Sequence, residues 1–166
     1  MLFRFVTIVA ARRCRQVVAF EPDPRTLPVL AANLRANALG NVDVVAQALG
    51  AESGAATLYQ AASSNSGMTS LVAGRAEGAD EARVPVVRGD ELVRARPERG
   101  PTVMKIDVEG AEHLVLGGLT GVLASGQVRA IVFEDARTDE GEPANSAVVS
   151  LLRDAGYTIE IGRAHV

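Results

Sequence analysis

Three carboxylates fall within six residues in Asp107-Val108-Glu109-Gly110-Ala111-Glu112. The apolar run Thr102-Val103-Met104-Lys105-Ile106 leads into them, which places the group at the turn between a strand and a helix. Carboxylates that share a site raise one another's pKa, and a general base is tuned toward neutral pH in this way. Asp107, at the strand end, and Glu112 are therefore the candidate catalytic residues. The competing reading is that Glu109 and Glu112 only decorate a helix N-terminus, where a negative charge is favourable by about 0.3–1 kcal/mol.

Glu21 ends a second apolar run, Val17-Val18-Ala19-Phe20, and opens the turn Glu21-Pro22-Asp23-Pro24. In a nucleotide-binding sheet such an acid can accept two charge-assisted hydrogen bonds from vicinal ribose hydroxyls, each worth about 1.5–3 kcal/mol. It can equally cap the next helix or stand in water. Gln47 ends the following strand, where its amide could meet an adenine edge. Asn65-Ser66-Gly67-Met68-Thr69-Ser70 is rich in donors and suits a polyhydroxyl substrate, although most such loops are only connections. His113, beside the acidic turn, is a base or a filler. No His/Cys spacing fits a metal, and the lack of G-x-S-x-G removes the serine-hydrolase reading.

The elements that must position these residues alternate between strand and helix. After the strand at 17–20, Leu27, Leu30, Ala31, Leu34 and Ala38 mark one face of a helix that Gly40 ends. Asp23 is a candidate N-cap with Pro24 first in the helix, but Pro28 then forces either a kink or a later start. Asn41 to Gln47 reads as the next strand, completing a βαβ unit. Short strands at Ala56 to Gln60 and Val84 to Val87 flank a loop-rich insertion. The alternation resumes with the strand ending at Asp107, a helix over Ala111 to Gly117, a strand over Val128 to Glu134, a helix over Asn145 to Ala155, and a strand from Tyr157. Glu21, Gln47, Asp107 and Glu134 all stand at carboxyl ends of strands, the edge at which open α/β sheets bind ligands.

Composition excludes several classes. The 166 residues are 48% hydrophobic and 22% charged, which suits one soluble domain able to bury a core without help from metal or disulfide. Cys14 is the single cysteine, so the chain has no internal disulfide framework. The net charge of −3 and the scatter of arginines from Arg4 to Arg163 argue against nucleic acid or a membrane surface as partner. No apolar run nears the roughly 20 residues of a membrane span. The longest, Phe5 to Ala11, carries its arginines after the run, the reverse of a signal peptide, so a cytoplasmic location is expected.

In their order along the chain, these residues resemble the FkbM family of S-adenosylmethionine-dependent methyltransferases. The series comprises Val18-Ala19-Phe20-Glu21-Pro22-Asp23-Pro24, Asn33-Leu34 with Asn37, Asn41-Val42, Ala48-Leu49-Gly50, Asn65-Ser66-Gly67, Ser70-Leu71, Lys105 to Glu112, and Phe133-Glu134. The resemblance implies an α/β, Rossmann-like class I methyltransferase sheet, mostly parallel, in three αβα layers. It implies S-adenosyl-L-methionine as cofactor and O-methylation of a small acceptor, at a hydroxyl of a sugar or secondary metabolite. By this likeness Glu21 would hold the ribose, Pro22 beside it would belong to the cofactor-binding residues, and Gln47 and Ala48 would lie near the adenine. Asp107 would stand between the methionine end and the acceptor, and Asn65, Ser66, Ser70 and Glu134 would contact the acceptor.

The chain departs from the family pattern at both ends. The family has a strand and a turn of the Asp-x-Gly-Ala-Asn-x-Gly kind just before the segment matching Thr7 to Arg13, and Arg4 stands where its last glycine would fall. No side chain replaces glycine where backbone must meet a ligand. Residues 160–166 read as a non-native tail. The expectation is a fragment: one domain over residues 1–159, without the first strand and the C-terminal antiparallel strand, and with weak or no cofactor binding on its own. The competing readings are a non-catalytic remnant or binding module that uses residues 61–82, and another nucleotide-binding Rossmann-like protein. No G-x-G-x-x-G supports the latter, and the Asp107 to Glu112 block speaks against it.

Overall fold

The computed structural model describes residues 2–60, 69–72, 80–95, 100–134 and 146–160, with side chains from residue 6 onward. Helix α1, Leu2–Arg13, ends on Arg12 and Arg13, whose charge suits the negative end of the helix dipole. Asn41 secures this end by donating its side-chain amide to the carbonyls of Ala11 and Cys14, at 2.8 and 2.9 Å.

Strand β1, Val17–Phe20, helix α2, Leu27–Ala36, and strand β2, Val42–Val45, form the expected βαβ unit, with β1 and β2 parallel and Val17 opposite Val42. The helix takes the later start. Thr26 and Leu27 both donate to the Asp23 carbonyl, closing a turn ahead of the helix. Pro28 thus falls in the first turn, where its missing N–H removes no helical bond. Leu30 and Leu34 of α2 bury against Ala19 of β1, with Leu39 and Val42 packed alongside. Leu30 is fully buried, and truncating such a side chain typically costs about 2–5 kcal/mol.

The chain then leaves this sheet earlier than expected. β2 stops at Val45, and β3, Ala48–Gly50, joins a different sheet with the order β3-β6-β4-β5. Strand β4 is Gly54–Gln60, β5 is Thr69–Ser70 and β6 is Asp80–Arg88. β6 pairs parallel with β3 and antiparallel with β4, and β4 pairs antiparallel with β5. Helix α3, Gly89–Ala95, follows β6 without a break.

Strand β7, Val103–Ile106, runs through helices α4, Glu112–Gly117, and α5, Thr120–Ala124, to its parallel neighbour β8, Ala130–Phe133. Helix α6, Ser146–Asp154, packs on α4. The main core gathers here, with Leu116, Leu119, Leu123, Val148 and Leu152 at its centre. Gly118 touches the second sheet so closely that a Cβ on it would collide with the Gly50 carbonyl oxygen.

Two expectations change. One mostly parallel sheet was expected, yet the strands among the described residues fall into three sheets and the four-stranded one is mixed. The residues between Gly50 and Gly89 supply hairpin strands of their own, and a hairpin pairs antiparallel by necessity. The strand expected from Tyr157 is not formed over 157–160. Tyr157 instead donates its backbone N–H to Leu152, closing α6 with Gly156 at φ +89°, and its hydroxyl donates to the Val128 carbonyl at 2.9 Å.

Candidate functional site

The βαβ unit sets Glu21 at the carboxyl end of β1, where its backbone N–H continues the ladder to the Val45 carbonyl. Its side chain is nearly buried, and Glu21 Oε1 accepts the Asp23 N–H at 2.9 Å. The prolines on either side of Asp23 have no N–H, so this is the donor the turn can offer at that point. Pro22 is half-buried. Gln47, half-buried, lies between β2 and β3, and Ala48 is 4% exposed at the start of β3. β1 and β2 are adjacent and end together at Phe20 and Val45, so Glu21 and the residues just after Val45 leave this sheet at the same edge, before Ala48 enters the other sheet.

Asp23, weighed in the sequence only as a helix cap, is 1% exposed. Its Oδ1 accepts the Arg25 backbone N–H and the Gln60 side-chain amide, both at 2.8 Å, and its Oδ2 lies 3.3 Å from the Arg25 guanidinium. Gln60 was not among the sequence candidates. The available signal was an amide at a strand end, the same signal that singled out Gln47.

At the end of β7, Asp107 Oδ2 lies 3.2 Å from the Lys105 ammonium. The alternation of a strand puts residues two apart on one face, which brings the single lysine of the chain to this acid. The following turn contains two successive left-handed residues, Glu109 at φ +48° and Gly110 at φ +93°. For glutamate this conformation is strained, and such strain concentrates at functional sites. Glu112, 5% exposed, accepts the Gly110 N–H at 3.2 Å, and Ser70 Oγ donates to the Glu109 carbonyl at 2.9 Å. Ser70 therefore meets the acidic turn through its backbone. Glu134 stands exposed just beyond β8, and His113 is exposed on α4. Asn65 and Ser66 lie outside the described residues.

Asp90, another buried carboxylate, has a structural setting. It accepts the N–H groups of Gly121 and Val122 at 3.1 and 2.9 Å and pairs with Arg88 at 2.8 Å. Burial alone would raise its pKa, but the Val122 N–H, the Arg88 guanidinium and the Gly121 N–H outweigh it and hold the group below the ordinary carboxylate value. Among the described residues no group of histidine, cysteine or acid side chains is arranged to hold a metal ion. No helix there is long and apolar enough to cross a membrane.

Parallel strands joined through helices, with acids and an amide at their carboxyl ends, define an α/β protein whose candidate site lies on the strand-end edge. The chain belongs to the FkbM methyltransferase family: the family described as the methyltransferase FkbM domain matches residues 3–159. Among solved structures it is similar to a methyltransferase FkbM from Methylobacillus flagellatus KT, at 18% identity and a TM-score of 0.48. That likeness covers 70% of this chain and 25% of the other, so the chain matches about a quarter of that protein's length. No curated protein matches the chain.

Proposed function

We propose that the chain carries the cofactor and base residues of an S-adenosylmethionine-dependent O-methyltransferase acting on a hydroxyl of a sugar or secondary metabolite. The observation that supports this most is the family match over residues 3–159, with Glu21 and Asp107 both at carboxyl ends of parallel strands. S-adenosylmethionine, when bound, supplies an electrophilic sulfonium methyl group. Glu21 would accept the ribose hydroxyls, Pro22 would stiffen the turn that carries it, and Gln47 and Ala48 would border the base. Asp107 would take the proton of the acceptor hydroxyl, with Lys105 holding its carboxylate in place. Ser70, Asn65, Ser66 and Glu134 are proposed to bound the acceptor.

Alignment of donor and acceptor can account for about 7–11 kcal/mol of barrier lowering, and a positioned base adds about 100- to 10,000-fold. Holding and aligning are therefore the larger task of these residues. Arg4, where the family pattern has glycine, lies in helix α1, so cofactor affinity is expected to be weaker than low micromolar.

Titration of the chain with S-adenosylhomocysteine, followed by amide NMR, tests this reading. The expected shifts are confined to Glu21, Gln47, Ala48 and Asp107 and disappear in Glu21→Ala. Shifts confined to other regions, or unchanged binding by Glu21→Ala, would reject it.

A further inference from the structure

The β4–β5 hairpin touches both acid-bearing turns. Gln60, the last residue of β4, donates to Asp23 Oδ1, and Ser70, the last residue of β5, donates to the Glu109 carbonyl. In the ladder Gln60 stands opposite Thr69, and Tyr59 stands opposite Ser70. Opposed residues share a face and successive residues alternate, so Gln60 and Ser70 project from opposite faces of the hairpin. The hairpin thus lies between the two turns and bonds to each.

The bonds on either side continue inward. Asp23 donates its N–H to Glu21, and the turn that Ser70 holds at Glu109 is closed by the Gly110 N–H bonding to Glu112. Gln60, Ser70 and Asp23 are 5%, 3% and 1% exposed, so water has little access to replace a partner in this chain of bonds. A buried amide or hydroxyl that loses its partner stays unsatisfied, which makes such a network respond as a unit. Ser70 also accepts the Val72 N–H at 3.0 Å, fixing the bend that follows β5.

We infer that Gln60 and Ser70 are positioning residues, and that the β4–β5 hairpin is a spacer setting the Glu21–Asp23 turn against the Asp107–Glu112 turn. This role rests on the proposed reading of Glu21 as ribose anchor and Asp107 as base. It adds that their separation is set by neither parent strand but by the inserted hairpin between them. Neither Gln60 nor Ser70 need touch a reacting atom for this.

Hydrogen–deuterium exchange on the full 166-residue chain tests the inference without any ligand. In Ser70→Ala, exchange at Gly110 is expected to rise, and so is exchange at Asp23 and Arg25 on the far side of the hairpin, by at least threefold. The β8 amides from Ala130 to Phe133 are expected to stay unchanged, and Ser70→Thr, which keeps the hydroxyl, to restore the wild-type pattern. Gln60→Met is expected to show the converse, with the effect reaching Gly110. A rise confined to the turn next to the substituted residue would overturn the proposal, as would a uniform rise across all elements in both variants. Binding of S-adenosylhomocysteine by the same proteins separates the two readings. Ser70→Ala is expected to weaken it several-fold; exchange coupling together with binding that Glu21→Ala leaves unchanged would reject the cofactor reading and leave the spacer standing.

Discussion

The Lys105 ammonium stands 3.2 Å from Asp107 Oδ2, and the Asp107 side chain is 13% exposed. The acid proposed as base is thus held by the single lysine of the chain, from the same strand face. A carboxylate fixed in this way keeps one orientation toward whatever approaches the strand end. Replacing it with an amide preserves shape but removes proton acceptance. Asp107→Asn is expected to reduce methyl transfer at least 100-fold, the lower bound for loss of a positioned base, while cofactor affinity changes only a few fold. Turnover measured beside a calorimetric titration checks this; an equal loss in both would make Asp107 a cofactor-binding residue.

Glu112 faces inward and bonds to the Gly110 N–H within its own turn. That geometry separates its two readings. If it closes the turn, Glu112→Gln keeps the accepting oxygen and retains turnover, while Glu112→Ala loses about 1.5–3 kcal/mol of stability with the charge-assisted bond from the half-buried Gly110 N–H. If it is the base, the glutamine variant is inactive although fully folded. Urea unfolding together with initial rates distinguishes the outcomes, and the structure favours the first.

Asp90 bonds α3 to the start of α5, and its pKa lies below the ordinary 3.8. A carboxylate whose folded pKa is depressed adds stability that is present above the unfolded value and is lost as pH falls through the folded one. The expected loss therefore begins near 3.8 and continues below it, with little change toward neutrality. Asp90→Asn should lower stability at neutral pH and flatten this acid limb. Unfolding curves at neutral pH and below the ordinary carboxylate range check both, and an unchanged acid limb would show that other groups govern it.

Much of the fold is legible in local pattern. The buried run at 17–20, the apolar spacing of α2 and the turn chemistry between them predict a βαβ unit, and its strands pair in parallel as that unit requires. Pro28 left its helix start open, because a proline is compatible with a kink or a first turn; the bonds to the Asp23 carbonyl decide for the first turn. The break after Val45 was not legible. Val42 to Gln47 has a continuous strand composition, and only its neighbours determine that Ala48 pairs with Val86 in another sheet. Helix α3 was missed because Gly89 opens it, and glycine in a sequence signals a turn rather than a helix start.

For the candidate site the division is similar. Glu21, Gln47, Asp107 and Glu134 were identified because strand ends can be read from where apolar runs stop. Glu21 and Asp107 do lie at strand ends in the fold, next to the turns that carry them. Asp23 and Gln60 meet across 37 residues of sequence, and no local pattern encodes such a distance. The same holds for Ser70 and Glu109.

The sequence by itself determined which residue types stand at the strand ends, the family, and the order of strand and helix. Periodicity and turn chemistry act over a few residues, and each of these features is written at that range. The tertiary structure alone decided that the inserted strands join β3 in a separate sheet, that their hairpin bonds to both acidic turns, and that Glu112 turns inward while Asp107 pairs with Lys105. Those outcomes depend on which buried polar groups can find partners once distant segments pack, and that balance exists only in the folded chain.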